Sequence, residues 1–164
     1  MELAQGDLRL LESDIARRLL TSTTPARYAY TAPDGTPRIV ASWFVWTGEE
    51  LVMPTFISGP HVRHAAYRVR ALRERPEVAI TIDTETWPPE ALGLRGTAEV
   101  TEVDGVVPEY AQAAHHYLGS EAATGMLAQI DHPSTRMARI AVRPTWVSVL
   151  DFQTRLPSAL GGAS

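Results

Sequence analysis

The chain has 164 residues, 45% of them hydrophobic, which is the size and composition of one folded domain, residues 1–164. Its formal net charge of −4 at pH 7 argues against a nucleic-acid binder, and its lack of both lysine and cysteine excludes lysine Schiff bases, cysteine nucleophiles, disulfides and thiolate-bound clusters. The acidic N-terminus has no apolar signal core and no later apolar run could cross a membrane, so we expect a cytoplasmic protein.

An amphipathic helix is predicted at the N-terminus. Leu8, Leu11, Ile15 and Leu19 recur at helical spacing, with charged residues mostly on the other side. We therefore expect residues 1–23 to form a covering helix on the surface of the domain.

The pattern changes to short β-rich runs after residue 25. Tyr28 and Tyr30 come first, residues 39–46 follow a Pro-Asp-Gly-Thr turn, and residues 51–57 follow a Thr-Gly-Glu-Glu turn. Two short turns between β-rich runs predict a meander of three antiparallel strands.

The third of these strands leads into a segment with the features of an anion site. Residues 58–63 read Ser-Gly-Pro-His-Val-Arg, and residues 59–75 hold five arginines against the single acid Glu74. Unpaired N–H groups at the start of a helix bind phosphate readily, and nearby arginines hold it with forked hydrogen bonds. We predict a phosphate-binding turn followed by a basic helix that ends before Pro76.

The remainder of the chain is again mainly β. The predicted elements are a strand at 78–83, a strand with a glycine bulge at 92–101, a helical stretch from 106 through 127, and last strands at 137–142 and 146–150. No strand–helix–strand unit repeats. Six or seven strands with helices inserted in two places therefore predict a mainly β fold, a small antiparallel barrel with flanking helices.

Six short motifs in this order resemble one known family. They are residues 32–38, 43–46, 58–63, 76–83, 95–99 and 143–147. The chain resembles the pyridoxamine 5′-phosphate oxidase-like superfamily of FMN-binding split β-barrels, and in particular its actinobacterial branch, which includes flavin- and deazaflavin-dependent oxidoreductases. The resemblance covers residues 24–152, which would form the barrel, with residues 153–164 as a tail.

The resemblance implies a homodimer with two cofactors in clefts at the subunit interface, FMN before a 5-deazaflavin and with haem less favoured. Eleven positions would bind the cofactor. Those beside the isoalloxazine ring are Arg38, Val40 and Ser42; those that contact it through backbone and hydroxyl groups are Pro54, Thr55 and Phe56; those around the phosphate are Ser58, His61, Val62 and Arg63; and Trp146 would approach from the far side of the cleft, from this subunit or its partner.

The phosphate turn departs from the family pattern in two ways. His61 stands where many relatives have lysine, and residues 61–65 are echoed seven residues later by Arg68-Val69-Arg70-Ala71-Leu72. An insertion of seven residues would lengthen the basic helix by about two turns. Two readings follow: the second Arg-Val-Arg is the phosphate site, or the extra arginines reach a longer anionic tail such as that of a deazaflavin.

The sequence contains no serine–histidine–acid set, paired carboxylates or glycine-rich dinucleotide loop, and His61 and His64 have no third ligand at metal-binding spacing. Hydride chemistry on a flavin needs little of the protein beyond orientation and exclusion of water. We therefore expect a flavin-dependent oxidoreductase acting on a small planar substrate. The alternatives are a protein that holds a flavin, deazaflavin or haem without turnover, and a barrel that has lost its cofactor. The C-terminal arginine–histidine motif of true pyridoxamine 5′-phosphate oxidases is not evident.

Overall fold

Residues 3–155, which the computed structural model describes, form an eight-stranded antiparallel sheet with flanking helices. A 3-10 helix (Leu8–Glu12) and α1 (Asp14–Leu20) come first. The strands and helices that follow are β1 (Ala26–Thr31), β2 (Pro37–Ser42), β3 (Val45–Trp46), β4 (Leu51–Val52), β5 (Thr55–Ser58), α2 (Tyr67–Glu74), β6 (Glu77–Asp83), β7 (Glu90–Asp104), α3 (Pro108–Leu118), α4 (Ser120–Ile130), β8 (Arg136–Asp151) and α5 (Phe152–Arg155).

The strand order along the sheet is β2-β1-β6-β7-β8-β4-β3, and β5 also pairs with β8. The two long strands β7 and β8 pair along their whole length. On its other edge β8 pairs with the short strands β4 and β5. The predicted mainly β split barrel with flanking helices is confirmed. The strands number eight among the described residues, because two predicted strands each divide while the last two merge into β8.

The predicted three-stranded meander is only partly correct. Its two hairpins form, with Tyr28 opposite Val40 and Val45 opposite Val52. However, β2 does not pair with β3. The chain leaves the sheet at residues 43–44, where the Phe44 side chain enters the core at 3% exposure, and β3 joins the opposite end of the strand order.

The basic helix is shorter than predicted. It begins at Tyr67, and residues 59–66 form turns and irregular chain, with the Val62 N–H bonded to the Gly59 carbonyl. The helix buries Val69 and Leu72, whereas Ala65, which precedes the helix, is exposed. Helix formation depends on burying such a face, so the segment before Tyr67 has no packing to hold it helical. The helix ends at Glu74, before Pro76, as predicted.

Two glycines shape the later elements: one divides the predicted helical stretch, and the other lies at the predicted bulge. The helical stretch divides into α3 and α4 at Gly119, whose φ of +80° is a left-handed conformation that ends a helix. The predicted glycine bulge lies where the β7–β8 register shifts between Arg95 and Gly96. A Cβ on Gly96 would stand 2.4 Å from the Arg143 carbonyl oxygen, so the strands approach closely only because this residue is glycine.

The core lies between the inner face of the sheet and the helices packed on it. The predicted covering helix is present as the 3-10 helix and α1, and these bury Leu10, Ala16, Leu19 and Leu20 against the barrel. No helix within residues 3–155 is both long enough and apolar enough to span a bilayer. The predicted tail lies for the most part outside the described residues.

Candidate functional site

A cleft of about 370 Å³ opens at the C-terminal end of β2. Five parts of the chain border it: the residue before β1, the end of β2 with the residue beyond it, β5 with the residue before it, helix α2 and helix α3. The lining side chains are Pro25, Ala41, Ser42, Trp43, Pro54, Thr55, Phe56, Arg68 and Tyr110. The cleft is therefore mainly apolar, with one cation, Arg68, and three hydroxyl groups, those of Ser42, Thr55 and Tyr110.

Arg68 supplies the charge of this cleft. It lies in the first turn of α2, which packs on β1 and β7 through Val69 and Leu72. Its Nη2 donates a hydrogen bond to Thr55 Oγ1, whereas its buried Nε has no hydrogen-bond partner among residues 3–155. A buried unpaired donor is costly, so its presence in a cleft points to an acceptor that a ligand would bring.

The buried phenol of Tyr28, which is only 1% exposed, neighbours Arg68. Burial raises the pKa of Tyr28 to about 12, although the neighbouring Arg68 guanidinium acts in the opposite direction. The phenol is therefore neutral at physiological pH. It does not neutralise the Arg68 charge, and that charge stays available to an anion.

Aromatic side chains form a wall of the cleft. The ring of Phe56 meets Tyr110 edge-to-face, with centroids 5.2 Å apart, and Trp43 lies 6.2 Å from Tyr110. Behind them Tyr117 stacks on Trp43 at 5.2 Å. Aromatic faces accept planar rings and keep water out, so a cleft with one buried guanidinium and this wall suits a planar ligand that carries an anionic group.

The other arginines of the basic segment differ from Arg68 in their partners. Arg70 pairs with Glu74, Arg73 pairs with Glu102, and Arg75 donates to the Ala32 carbonyl. Arg63 is exposed and has no ion pair or hydrogen bond within the part of the chain that the structure describes. Only Arg63 and Arg68 of the five are thus without a carboxylate or carbonyl partner among the described residues.

Four of the predicted cofactor-binding residues line the cleft together, namely Ser42, Pro54, Thr55 and Phe56. His61 stands beside them, its ring edge-on to Phe56 with centroids 4.8 Å apart.

The remaining predicted positions lie around the cleft or away from it. Val62 and Arg63 belong to the 59–66 segment next to His61, and Ser58 donates its hydroxyl hydrogen bond to the Ser134 carbonyl. Val40 packs against the core opposite Tyr28, and Arg38 pairs with Asp34 at the far end of β2.

Trp146 lies outside the cleft within one chain. The Arg95 guanidinium stacks over its ring at 4.1 Å, and Gly6 approaches so closely that a Cβ there would stand 2.7 Å from the indole Nε1. Trp146 thus anchors the N-terminal segment to the outer side of β8.

Sequence reasoning did not select Arg68, Trp43 or Tyr110 as site residues. Arg68 could have been found, because the second Arg-Val-Arg was one reading of the phosphate site. The sequence around Tyr110 contains no comparable signal, since nothing in α3 alone shows that the helix packs beside β5. No cluster of three or more His, Asp or Glu side chains within residues 3–155 is placed to hold a metal ion.

No protein-family model matches the chain, and no curated protein matches it in sequence. Solved structures do. An F420 reductase is 27% identical, with a TM-score of 0.58 over 79% of this chain and 93% of that one. A putative pyridoxamine 5′-phosphate oxidase from Listeria innocua is 17% identical, with a TM-score of 0.54 over 80% and 92% of the two chains.

The same fold also occurs in a haem storage protein from Vibrio cholerae, which is 18% identical with a TM-score of 0.52 over 78% of this chain and 86% of that one. The three likenesses each extend over more than three quarters of this chain. The chain therefore has the split β-barrel fold of these structures, in agreement with the resemblance of its motifs to the pyridoxamine 5′-phosphate oxidase-like family.

Proposed function

We propose that the protein is a cytoplasmic, homodimeric oxidoreductase that binds a flavin-type cofactor, FMN or a 5-deazaflavin, in the cleft at the end of β2. The observation that carries the proposal is Arg68, a guanidinium set into an aromatic-lined cleft with its Nε buried and unpaired within residues 3–155. The 27% identity to an F420 reductase supports the oxidoreductase class.

The residues present fit such a cofactor. Arg68 would bind its anionic group, with Thr55 already holding the guanidinium in place. Pro54, Phe56 and Ser42 would lie along its planar ring, and Trp43 and Tyr110 would keep water from the reacting face. When bound, a flavin or deazaflavin supplies the capacity to accept or donate hydride, so the protein needs to contribute orientation and a dry, shaped cleft.

Arg63 bears on the choice between the two cofactors. Arg68 alone can hold one phosphate, whereas a deazaflavin such as F420 carries further anionic groups on a longer tail. Arg63 is exposed in the segment that also holds His61, and it pairs with no carboxylate among the described residues. Dependence of binding on Arg63 would therefore favour the longer cofactor.

The decisive experiment is a titration of the purified protein with FMN and with F420, followed by absorbance and fluorescence of the ring, in three arginine variants. We expect Arg68→Ala to weaken binding about 10- to 100-fold, the loss of one charge-assisted hydrogen-bond pair. Arg73→Ala, whose guanidinium is held by Glu102, is the matched control and should leave binding unchanged. If Arg63→Ala weakens the binding of F420 but not that of FMN, the deazaflavin would be identified as the cofactor.

Equal effects of Arg68→Ala and Arg73→Ala would contradict the placement of the anion at Arg68. Binding of neither cofactor would leave the barrel that has lost its cofactor as the better reading.

A second candidate is a protein that holds haem without turnover. His61 favours it, because its imidazole stands against Phe56 at the edge of the cleft and imidazole is a common axial ligand of haem iron. Titration with haemin separates the two: haem binding that is lost in His61→Ala, together with no binding of FMN or F420, would replace the oxidoreductase.

A further inference from the structure

Tyr110 combines three properties that no other tyrosine among the described residues shares. It lines the cleft, its ring is held by two aromatic neighbours, and its hydroxyl has no hydrogen-bond partner within residues 3–155. The proposed cofactor function uses the ring as a wall but leaves the hydroxyl without a role.

The position of Tyr110 is fixed by the start of α3. Val107, fully buried, accepts the Tyr110 N–H in the first turn, and Pro108 occupies the first helical position, where its fixed φ suits a helix start. Glu109 pairs with Arg139 of β8 at 2.8 Å and ties this turn to the sheet. The phenol is therefore presented by a rigid element rather than by a loop, as a group that orients a ligand requires.

Tyr117, two turns later on the same helix, provides an internal comparison. Its ring also contacts Trp43, but its hydroxyl donates to the Thr24 carbonyl at 3.4 Å and it does not line the cleft. The two tyrosines thus have similar aromatic packing and differ in whether the hydroxyl is engaged.

We propose that Tyr110 orients the substrate: its hydroxyl donates a hydrogen bond to an oxygen of a planar, ring-containing acceptor, a quinone or nitroaromatic compound, that lies against Trp43. This inference rests on the proposed function. The cleft suits such a compound because its wall is aromatic and its one cation, Arg68, is assigned to the cofactor. Burial raises the pKa of Tyr110, which keeps the phenol a neutral donor at physiological pH.

The test compares Tyr110→Phe with Tyr117→Phe in protein loaded with whichever of FMN and F420 binds. The loaded protein is first kept oxidised, so that it cannot reduce a quinone, and naphthoquinone is titrated against the cofactor spectrum. We expect Tyr110→Phe to raise the dissociation constant of naphthoquinone about tenfold, the value of one hydrogen bond, and Tyr117→Phe to leave it unchanged.

Naphthalene, which has the same ring system without the oxygens, separates the hydrogen bond from packing. Its dissociation constant should be the same in Tyr110→Phe as in the unaltered protein. In a second measurement the cofactor is pre-reduced without oxygen and its reoxidation by naphthoquinone is followed. The half-saturating quinone concentration should rise about tenfold in Tyr110→Phe, while the limiting rate stays within about twofold.

Unchanged naphthoquinone affinity in Tyr110→Phe, or an equal loss for naphthalene, would overturn this inference while leaving the cofactor function intact. Failure of both FMN and F420 to bind the unaltered protein would overturn the proposed function and this inference with it. The cofactor titration made before any quinone is added tells the two failures apart.

Discussion

At the scale of single residues, the most consequential feature is a neutral phenol beside a guanidinium. Tyr28 is buried in the core, and the neighbouring Arg68 does not compensate for the loss of water around a phenolate. The ionisation of Tyr28 therefore links the stability of the barrel to pH.

This linkage predicts a loss of stability in alkali. The pKa of Tyr28 is raised from 10.0 to about 12, and that of Tyr117 is also raised to about 12. A raised pKa contributes stability that is complete below the unfolded-state value and is lost as pH rises through the folded-state value. The free energy of unfolding should therefore hold up to about pH 10 and then fall towards about pH 12, by up to about 3 kcal/mol for Tyr28.

The composition of the chain leaves few groups that could contribute to this pH dependence. The chain has neither lysine nor cysteine, so tyrosines are its only side chains that titrate between about pH 9 and about pH 12. Urea unfolding across that range, with phenolate absorbance recorded in parallel, gives the slope. Tyr28→Phe should flatten the slope, and an unchanged slope in that variant would show that Tyr28 ionises as readily in the folded protein as in the unfolded one.

At the scale of elements, the pairing of β7 with β8 organises the molecule, because every sheet contact between the two halves passes through it. Its irregular point is the bulge at Gly96, where the Arg143 carbonyl and the Val142 side chain fill the space that a Cβ would need. Backbone on one side leaves little room to relax, so the bulge depends on glycine at this position.

Two glycine-to-alanine changes test this dependence in opposite directions. Gly96→Ala should destabilise the protein by about 2 kcal/mol or more, as overpacking against backbone does. Gly125→Ala lies inside α4 with nothing within 4 Å of the added Cβ, so it should stabilise the protein by up to about 1 kcal/mol. Urea unfolding of both variants gives the comparison, and a neutral Gly96→Ala would mean that β8 shifts freely at the bulge.

The elements that could be predicted from sequence are those whose pattern is local. The alternation of Val78, Ile80 and Ile82 predicts β6, and Pro76 marks the end of α2. The crossing from β2 to β3 could not be predicted, because the residues between the two strands are as apolar as a strand. The separation of β3 from β2 follows from long-range pairing: β3 pairs with β4, and β4 pairs with β8. The start of α2 was missed for a related reason: a helical pattern in residues 61–66 finds no surface to pack against.

The site was predictable to a similar extent. Ser42, Pro54, Thr55 and Phe56 converge on the cleft as the motif order implies. Tyr110 enters the cleft from an inserted helix, and its position depends on contacts between α3, β3 and β5 that leave no local trace in the sequence. A position set by tertiary packing of an insertion cannot be read from the barrel motifs that surround it.

At the scale of the whole molecule, the exposed edge of the sheet bears on assembly. β2 lies at one end of the strand order, and Pro37, Ile39 and Ala41 on its outer face are exposed, Ile39 at 66%. An exposed apolar edge strand favours pairing with another chain. Because Ala41 also lines the cleft, a second copy seated on this edge would close the cleft as well as cover the strand.

The exposed apolar edge of β2 predicts that the protein is a dimer whose integrity supports cofactor binding. Ile39→Lys should shift the mass measured by sedimentation equilibrium from dimer to monomer, because it sets a charge at an apolar interface where burying it is costly. The control is Leu118→Lys, which alters an exposed leucine at the end of α3. If the cleft is completed by the second copy, Ile39→Lys should also weaken FMN or F420 binding, although Ile39 does not line the cleft. A monomer in the unaltered protein would contradict the dimer, whereas a monomeric Ile39→Lys that binds cofactor normally would show that one chain suffices for the site.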